Sequence, residues 1–130
     1  MGHGDVLALV DRNFPARAVA EDMVSGRLVT LGGLDAPTAA RGILQLLPLD
    51  TFVPSPLSWM DPVDRPGVAL EVHRAVLEEA RRAEGREVVP TPVKRHDFYA
   101  AARKAFAVVQ TTENRPYGCF LLVKSVVFDP

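Results

Sequence analysis

The feature that most constrains this chain is a continuous apolar run, Val6–Val10, which ends at Asp11. A strand with one wet face shows alternation of apolar and polar residues, and this run shows none. It is therefore typical of a strand buried on both faces, as found in sheets that carry helices on each side. The proline of Asn13-Phe14-Pro15 disfavours helix in the residue before it and predicts a turn directly after the strand.

Helical and extended patterns alternate along the rest of the chain. Asp35 is a candidate N-cap for a helix that ends before Pro48, and residues 67–84 carry the apolar stripe of an amphipathic helix ending at Gly85. Asp97 can cap a third helix that runs to residue 105. Further strands are predicted at residues 27–31, 88–89, 106–109 and 120–123, the last two central, and residues 52–60 read as an irregular edge strand or a loop. This alternation predicts an α/β sheet with packed helices.

Length and charge limit the function classes. The 130 residues fit one domain, 1–130, without room for a second core. The 15 basic and 16 acidic residues leave a net charge of -1, which provides no electrostatic footprint for nucleic acid or an anionic membrane. We therefore expect neither as a partner.

The few cysteines and histidines argue against a metal or disulfide framework. A lone cysteine, Cys119, permits no internal disulfide, and the three histidines are scattered without a Cys-x-x-Cys pair. No secretory signal pattern and no apolar run near 18 residues are seen in the sequence. The expected location is the cytoplasm, and no metal site is expected.

The clearest candidate for acid–base chemistry is His3, set between two glycines in Gly2-His3-Gly4-Asp5. Its unperturbed pKa of about 6.5 suits proton transfer near neutral pH. The competing interpretation is a frayed terminus. Asp11 ends a buried strand, where α/β sheets bind ligands, although an aspartate before Pro15 also suits an Asx turn.

Later polar residues offer further candidates. Arg95 could hold a hydroxyl-rich ligand with its planar fork of donors, or belong to a solvated helix start. Tyr117 could be a second acid–base group or a half-buried aromatic residue. Cys119 reads as a small buried apolar residue, and His73, within a helix, as structural or surface. The sequence has no phosphate-binding glycine loop, no nucleophile elbow and no evident carboxylate pair for glycoside hydrolysis.

Taken together, several blocks of the sequence resemble the RbsD/FucU family of sugar mutarotases and pyranases. They appear in family order across nearly the whole chain, and Asn13-Phe14-Pro15 with Tyr117-Gly118 is similar to the L-fucose mutarotase branch. The blocks are Met1-Gly2-His3-Gly4-Asp5, Val10-Asp11 with Asn13-Phe14-Pro15, Leu46-Leu47-Pro48-Leu49-Asp50-Thr51-Phe52, Arg95 with Phe98-Tyr99, Lys104-Ala105-Phe106-Ala107-Val108-Val109, and Tyr117-Gly118 before Leu121-Leu122.

The resemblance implies roles for individual residues. His3 matches the proton-donating histidine of the family, and Asp11 and Arg95 match sugar-binding positions. Tyr117 and Gly118 match the first two positions of a C-terminal binding triplet, whose usual third residue, asparagine, is replaced here by Cys119. The thiol is a weak donor and acceptor, so one amide hydrogen bond to the sugar, about 0.5–1.5 kcal/mol, would be lost.

The resemblance also implies a fold, an assembly and an activity. The fold is a three-layer α/β subunit, and the assembly is a ring-shaped homo-oligomer, typically decameric, with active sites at subunit contacts. The implied activity is interconversion of the α and β anomers of a monosaccharide, with L-fucose as the expected substrate and no metal or organic cofactor. The helix-forming segment that precedes Gly-His-Gly-Asp in family members is expected to be absent. In the implied mutarotation His3 protonates the ring oxygen of the sugar, and Tyr117, or a water that it holds, handles the anomeric proton.

Three alternatives stay open at this point. The enzyme could be a pyranase or mutarotase for another sugar, such as ribose. The chain could be a non-catalytic sugar-binding protein with a degraded site. It could also be an oligomeric domain of unrelated function, in which case His3, Asp11, Arg95 and Tyr117 would lie far apart in every pairing of subunits.

Overall fold

Strand β1 (Val6–Val10) lies inside a six-stranded sheet in the computed structural model, which describes residues 1–125. Leu7 and Leu9 pack into one core cluster, while Ala8 and Val10 pack into a second cluster on the other face. Both faces of β1 are thus covered, as its unbroken apolar run predicts.

The remaining elements follow in the order α1, β2, α2, β3, α3, β4, α4, β5 and β6. The helices α2 and α3 contribute to the core cluster that contains Leu7, and α1 and α4 to the one that contains Ala8, so the fold is a three-layer α/β sandwich. The bounds are α1 Ala16–Glu21, β2 Leu28–Leu31, α2 Ala36–Leu46, β3 Leu57–Met60, α3 Glu71–Glu84, β4 Pro90–Val93, α4 Arg95–Arg103, β5 Ala107–Thr111 and β6 Phe120–Val123.

The strand order is β2-β5-β1-β6-β3-β4. The pairs β2·β5, β1·β5 and β3·β4 are parallel, whereas β6 runs antiparallel to both of its neighbours, β1 and β3. The carboxyl ends of five strands and the start of β6 therefore meet at one edge of the sheet. This is the edge at which α/β sheets bind ligands.

Several of the local predictions are confirmed. The Asp35 side chain accepts a hydrogen bond from the Thr38 backbone N–H at 2.9 Å and caps α2. Gly85 ends α3 in the left-handed conformation, with φ of 65°. Strands β2, β5 and β6 lie where the apolar runs predict them, and β5 and β6 are both interior strands.

Residues 52–60 are not an irregular edge strand or a loop throughout, because β3 is an interior strand between β6 and β4. The edge strand on this side of the sheet is β4, which contains Pro90 and Pro92 and therefore lacks two donors for a further ladder. The strand predicted at residues 88–89 is wrong, since β4 begins at Pro90.

Two helix predictions also needed correction. The short helix α1, directly after Pro15, was not predicted from the turn signal there. Helix α4 begins at Arg95 rather than after a capping Asp97, which instead lies in its first turn, where a carboxylate interacts favourably with the helix dipole. No helix among residues 1–125 combines the length and the apolar character needed to cross a membrane.

Gly85 at the end of α3 and Gly42 inside α2 provide a matched test of this backbone geometry. We expect Gly85→Ala to lower the free energy of unfolding by about 1 kcal/mol, because alanine is strained at a φ of 65°. Gly42→Ala, in the interior of α2 where an added Cβ meets nothing, should raise it by about 0.5–1 kcal/mol. Urea denaturation of both variants measures the difference, and equal effects would contradict the assigned backbone conformations.

Candidate active site

A cavity of about 220 Å³ opens at the edge of the sheet where the strand ends meet. It lies below the range of about 300–1,000 Å³ that is typical of drug-sized ligands, which suits a smaller molecule. The lining comes from the ends of β1 and β3, the start of α4 and the loop before β6. The lining residues are Asp11, Asn13, Phe14, Met60, Arg95, Tyr99, Pro116, Tyr117 and Cys119.

Asp11 is buried at the end of β1 and anchors two loops. Its Oδ1 accepts hydrogen bonds from the backbone N–H groups of Asn13 and Phe14, at 3.1 and 2.9 Å, and its Oδ2 accepts one from the Gly118 N–H at 3.2 Å. Burial raises the pKa of Asp11, and these hydrogen bonds together with the Cys119 thiol oppose that rise. Asp11 thus forms the Asx turn and also lines the cavity, so its two sequence-based interpretations are compatible.

Tyr117 stands on the loop before β6, in the left-handed backbone conformation with φ of 60°. Its hydroxyl oxygen accepts a hydrogen bond from the Val63 backbone N–H at 3.2 Å. The phenolic hydrogen is therefore left to act as a donor, so the phenol can both donate and accept hydrogen bonds.

Gly118 is buried where the loop passes between two acidic side chains. A Cβ at this position would come within 2.9 Å of the Glu113 Cγ and 3.5 Å of the Asp11 Cβ. A larger residue would push the loop away from the cavity. The following Cys119 is 2% exposed, and burial raises the pKa of its thiol, so the thiol stays protonated.

The walls of the cavity are partly apolar. The ring of Phe14 stacks on that of Tyr99, with centroids 5.0 Å apart and an interplanar angle of 14°. The Arg95 guanidinium lies 5.8 Å from the centroid of Tyr99. The positively charged guanidinium group, with its several N–H donors, therefore lies beside an aromatic wall. Met60 also lines the cavity.

His3 lies elsewhere, at the opposite end of β1. Its Nε2 lies 3.1 Å from the Oδ1 of Asp50, which is buried, and its ring meets the edge of Phe52 with centroids 5.3 Å apart. Burial raises the pKa of Asp50, but hydrogen bonds from the Phe52 backbone and His3 outweigh it, and the pKa is lowered overall. The carboxylate is thus ionised and accepts only, so Nε2 of His3 is the donor in this contact.

The structure of one chain does not bring His3 to the cavity. Five residues of β1, at about 3.3 Å each, separate the His3 end of the strand from Asp11 by roughly 16 Å or more. Of the predicted site residues, Asp11, Arg95, Tyr117, Gly118 and Cys119 converge, and His3 does not. His3 is 44% exposed and Phe52 71% exposed, so that end of the chain is open to contact.

Sequence reasoning did not assign a role to several residues of these two regions. Tyr99 and Asp50 lie within the blocks that carry the family resemblance, which was the signal available for them. Met60 gave no signal, because its place in the cavity depends on β3 lying beside β6. His73 is completely buried and not at the surface. In the chain from residue 1 to residue 125, no cluster of three or more His, Cys, Asp or Glu side chains could hold a metal ion.

An ion pair between the buried Glu113 and the half-buried Arg115 supports the loop that bears Tyr117. The Glu113 carboxylate, 2% exposed, accepts two hydrogen bonds from the Arg115 guanidinium, one from the Arg115 backbone N–H and one from the Ala36 N–H at the start of α2. Burial raises the pKa of Glu113, but these hydrogen bonds lower it to about 2.

Comparison with known proteins gives consistent relationships. The sequence profile of the RbsD / FucU transport protein family matches residues 1–127. The chain is 38% identical to the fucose mutarotase of Homo sapiens and 34% identical to the L-fucose mutarotase of Actinobacillus pleuropneumoniae serotype 5b (strain L20). These alignments cover 98% and 97% of this chain and 82% and 84% of the relatives.

Among solved structures, the chain is similar to the fucose mutarotase of Streptococcus pneumoniae in complex with L-fucose. The TM-score is 0.80 at 30% identity, and the match covers 98% of this chain and 87% of the other. The three-layer α/β fold expected from the sequence resemblance is thereby confirmed.

The low pKa of Glu113 makes a prediction for stability. The shift from 4.5 to about 2 contributes stability that is complete above pH 4.5 and is lost as pH falls toward 2. We expect Glu113→Gln to lower the free energy of unfolding at pH 7 by about 3 kcal/mol and to flatten its pH dependence between 4.5 and 2. Denaturation across this pH range measures both effects. Glu78→Gln, in an exposed pair with Arg82, is the control and should change stability by less than about 1 kcal/mol.

Proposed function

The chain belongs to the RbsD/FucU family, and from that premise we propose that it is a monosaccharide mutarotase that interconverts the α and β anomers of L-fucose. The observation that carries the proposal is the cavity at the strand ends, in which the Arg95 guanidinium and the Tyr117 phenol converge beside aromatic and thioether walls. An isomerase of this kind needs positioned proton donors and acceptors, and no cofactor enters the reaction.

The cavity matches the chemistry of a deoxy sugar. A pyranose presents hydroxyl groups at its edge, which suit the donors of Arg95, and C–H groups on its faces, which suit the ring of Tyr99. L-fucose carries a methyl group where related hexoses carry a hydroxymethyl group, and the side chains of Phe14 and Met60 provide apolar surface for it. Asp11 orients the sugar chiefly through the loops that it anchors.

The reaction requires only proton transfers around one bond. A base removes the proton from the anomeric hydroxyl while an acid protonates the ring oxygen, and the bond between C1 and the ring oxygen breaks. The resulting aldehyde rotates about its bond to C2, and the same transfers in reverse close the ring on the other face. Tyr117, or a water that it holds, serves the anomeric hydroxyl, and the acid for the ring oxygen is His3.

The His3 that serves a cavity must come from a second copy of the chain, because the cavity of the same chain lies at the far end of β1. The side chain is equipped for this delivery. Asp50 holds Nε2, so Nδ1 of the exposed imidazole is the atom left to give and take the proton. The exposed ring of Phe52 beside it provides apolar surface for the neighbouring copy to cover.

The assembly proposed on this basis is a homo-oligomer in which each copy gives His3 to one neighbour and receives it from another. Such head-to-tail contacts close into rings, and the family resemblance favours ten copies. We place the enzyme in the cytoplasm, where the protonated thiol of Cys119 would stay reduced.

The first test is anomeric exchange of L-fucose, followed by two-dimensional NMR exchange spectroscopy. We expect the wild type to accelerate exchange and His3→Gln to reduce the catalysed rate by about 10²- to 10⁴-fold, because the acid for the ring oxygen is removed. The matched control is His96→Gln, an exposed histidine outside the cavity lining, which should retain the wild-type rate.

A panel of sugars separates the proposal from its alternatives. L-galactose differs from L-fucose by one hydroxyl group and should exchange more slowly, and D-ribose should show little acceleration. If the protein accelerated the exchange of D-ribose more than that of L-fucose, it would be a pyranase or mutarotase for another sugar. Calorimetric binding of L-fucose without faster exchange would indicate a sugar-binding protein, and an unchanged rate in His3→Gln would remove His3 from the mechanism.

Subunit complementation tests the shared site. Copies with His3→Gln and copies with Arg95→Ala should each be inactive alone, but mixed oligomers place an intact His3 beside an intact Arg95 at some contacts. Random one-to-one mixing should restore about a quarter of the wild-type activity.

Co-expression with two different affinity tags isolates the mixed oligomers for the same NMR assay. In the control, both differently tagged copies carry His3→Gln, and these oligomers should stay inactive. If the mixed oligomers form and also stay inactive, His3 and Arg95 act within one copy and the shared site is wrong.

A further inference from the structure

The backbone of Tyr117 is held in an unusual conformation. Among residues 1–125 it is the one residue other than glycine with a positive φ, at 60°. A bulky side chain disfavours this left-handed region, and such residues persist only where surrounding contacts enforce them. The Tyr117 phenol lines the cavity, so whatever holds this backbone also determines where the phenol points.

Both polar ends of the peptide group between Tyr117 and Gly118 are held by buried side chains. The Gly118 N–H donates to Oδ2 of Asp11 at 3.2 Å, and the Tyr117 carbonyl oxygen accepts from Nε2 of His73 at 2.8 Å. Two opposed hydrogen bonds on one planar group fix its rotation, and with it the ψ angle of Tyr117.

His73 has its proton assignment determined by its neighbours. Its Nδ1 accepts a hydrogen bond from the Leu70 backbone N–H at 3.0 Å, so this nitrogen carries no proton. Its Nε2 faces a carbonyl oxygen, which only accepts, so this nitrogen carries one. Burial lowers the pKa of His73, which favours this neutral form at neutral pH.

The ring of His73 is also held in place. It stacks on Trp59 with centroids 4.8 Å apart and an interplanar angle of 3°, and it meets Phe120 edge-on at 5.8 Å. Trp59 directly precedes Met60 and Phe120 directly follows Cys119, so each contact residue adjoins a cavity residue in the sequence. The imidazole, with 0% of its surface exposed, therefore has little freedom to turn its Nε2 away from Tyr117.

We infer that His73 is a positioning residue of the active site, which holds Tyr117 in its left-handed conformation through the Nε2–H hydrogen bond to the Tyr117 carbonyl. This inference rests on the proposed mutarotase function insofar as Tyr117 handles the anomeric proton. His73 is not itself among the residues that line the cavity. Its effect on the reaction passes through the peptide group that it shares with Asp11.

Two amide variants separate the two hydrogen bonds of His73. In His73→Gln the side-chain N–H₂ can reach the position of Nε2 and donate to Tyr117, whereas the acceptor for Leu70 is lost. In His73→Asn the shorter side chain can place its oxygen at the position of Nδ1 and accept from Leu70, whereas the donor to Tyr117 is lost. Both variants replace the ring in the same core, so each serves as the control for the other.

We expect His73→Asn to lower kcat for L-fucose exchange by about 10- to 100-fold with a smaller change in KM, since misplacing a catalytic group by about 1 Å has effects of this size. His73→Gln should stay within about threefold of the wild type. If His73 served only to stabilise the start of α3, His73→Gln would be the more impaired variant, because it loses the acceptor for the Leu70 N–H. Activity that simply follows the stability of the two variants would overturn the inference.

A second readout does not depend on activity. Hydrogen exchange of the Gly118 amide, measured by NMR, should be faster in His73→Asn than in His73→Gln, because release of the Tyr117 carbonyl loosens the same peptide group.

If neither variant folds, the side-chain ¹⁵N shifts of His73 in the ¹⁵N-labelled wild type test the inference, because they report which ring nitrogen carries the proton. A proton on Nε2 supports the inference, and a proton on Nδ1 overturns it. A wild type that fails to accelerate exchange would refute the proposed function, while these NMR measurements would still test the role of His73 in holding the loop.

Discussion

The carboxylate of Asp11 accepts three backbone hydrogen bonds at the point where β1 ends. Two of them form the turn that leads to α1, and the third holds the loop before β6, more than a hundred residues away in sequence. Each hydrogen bond compensates part of the cost of burying the charge. Because the turn contributes Phe14 and the loop contributes Tyr117, this carboxylate joins two of the segments that line the cavity.

The loop before β6 is supported from three directions. Asp11 holds the Gly118 N–H, His73 holds the Tyr117 carbonyl, and Glu113 joins the loop to the start of α2 through Arg115 and the Ala36 N–H. The Glu113 contact also explains the glycine at position 118, where no Cβ would fit. A loop with so many buried hydrogen bonds is pre-organised, which limits the reorganisation that substrate binding requires.

The length of β1 shapes the proposed chemistry. The strand places the His3, Asp50 and Phe52 group at one end and the cavity at the other, so one chain carries both halves of the proposed site without joining them. A head-to-tail contact between identical copies would join every cavity to a neighbouring His3. Catalysis would then depend on assembly, and an isolated subunit would lack the acid for the ring oxygen.

The local patterns of the sequence determined most elements of the fold. The unbroken apolar run of β1, the Asp35 cap and the Gly85 terminus each depend on a few neighbouring residues, and all three are confirmed. The errors concern β3 and β4, where prolines obscure the pattern and the position in the sheet depends on pairing with distant strands. The short helix α1 falls below the length at which periodicity is informative.

The same division holds for the site. The sequence by itself determined the candidates, since side-chain chemistry and the family resemblance single out His3, Arg95 and Tyr117. Only the tertiary structure decided which of them meet, because strand order brings Asp11, Arg95 and Tyr117 together and β1 keeps His3 apart. It also decided that His73, an unremarkable helix residue in sequence, contacts the Tyr117 backbone 44 positions away. Periodicity reports local conformation, whereas such contacts arise from packing between segments distant in sequence.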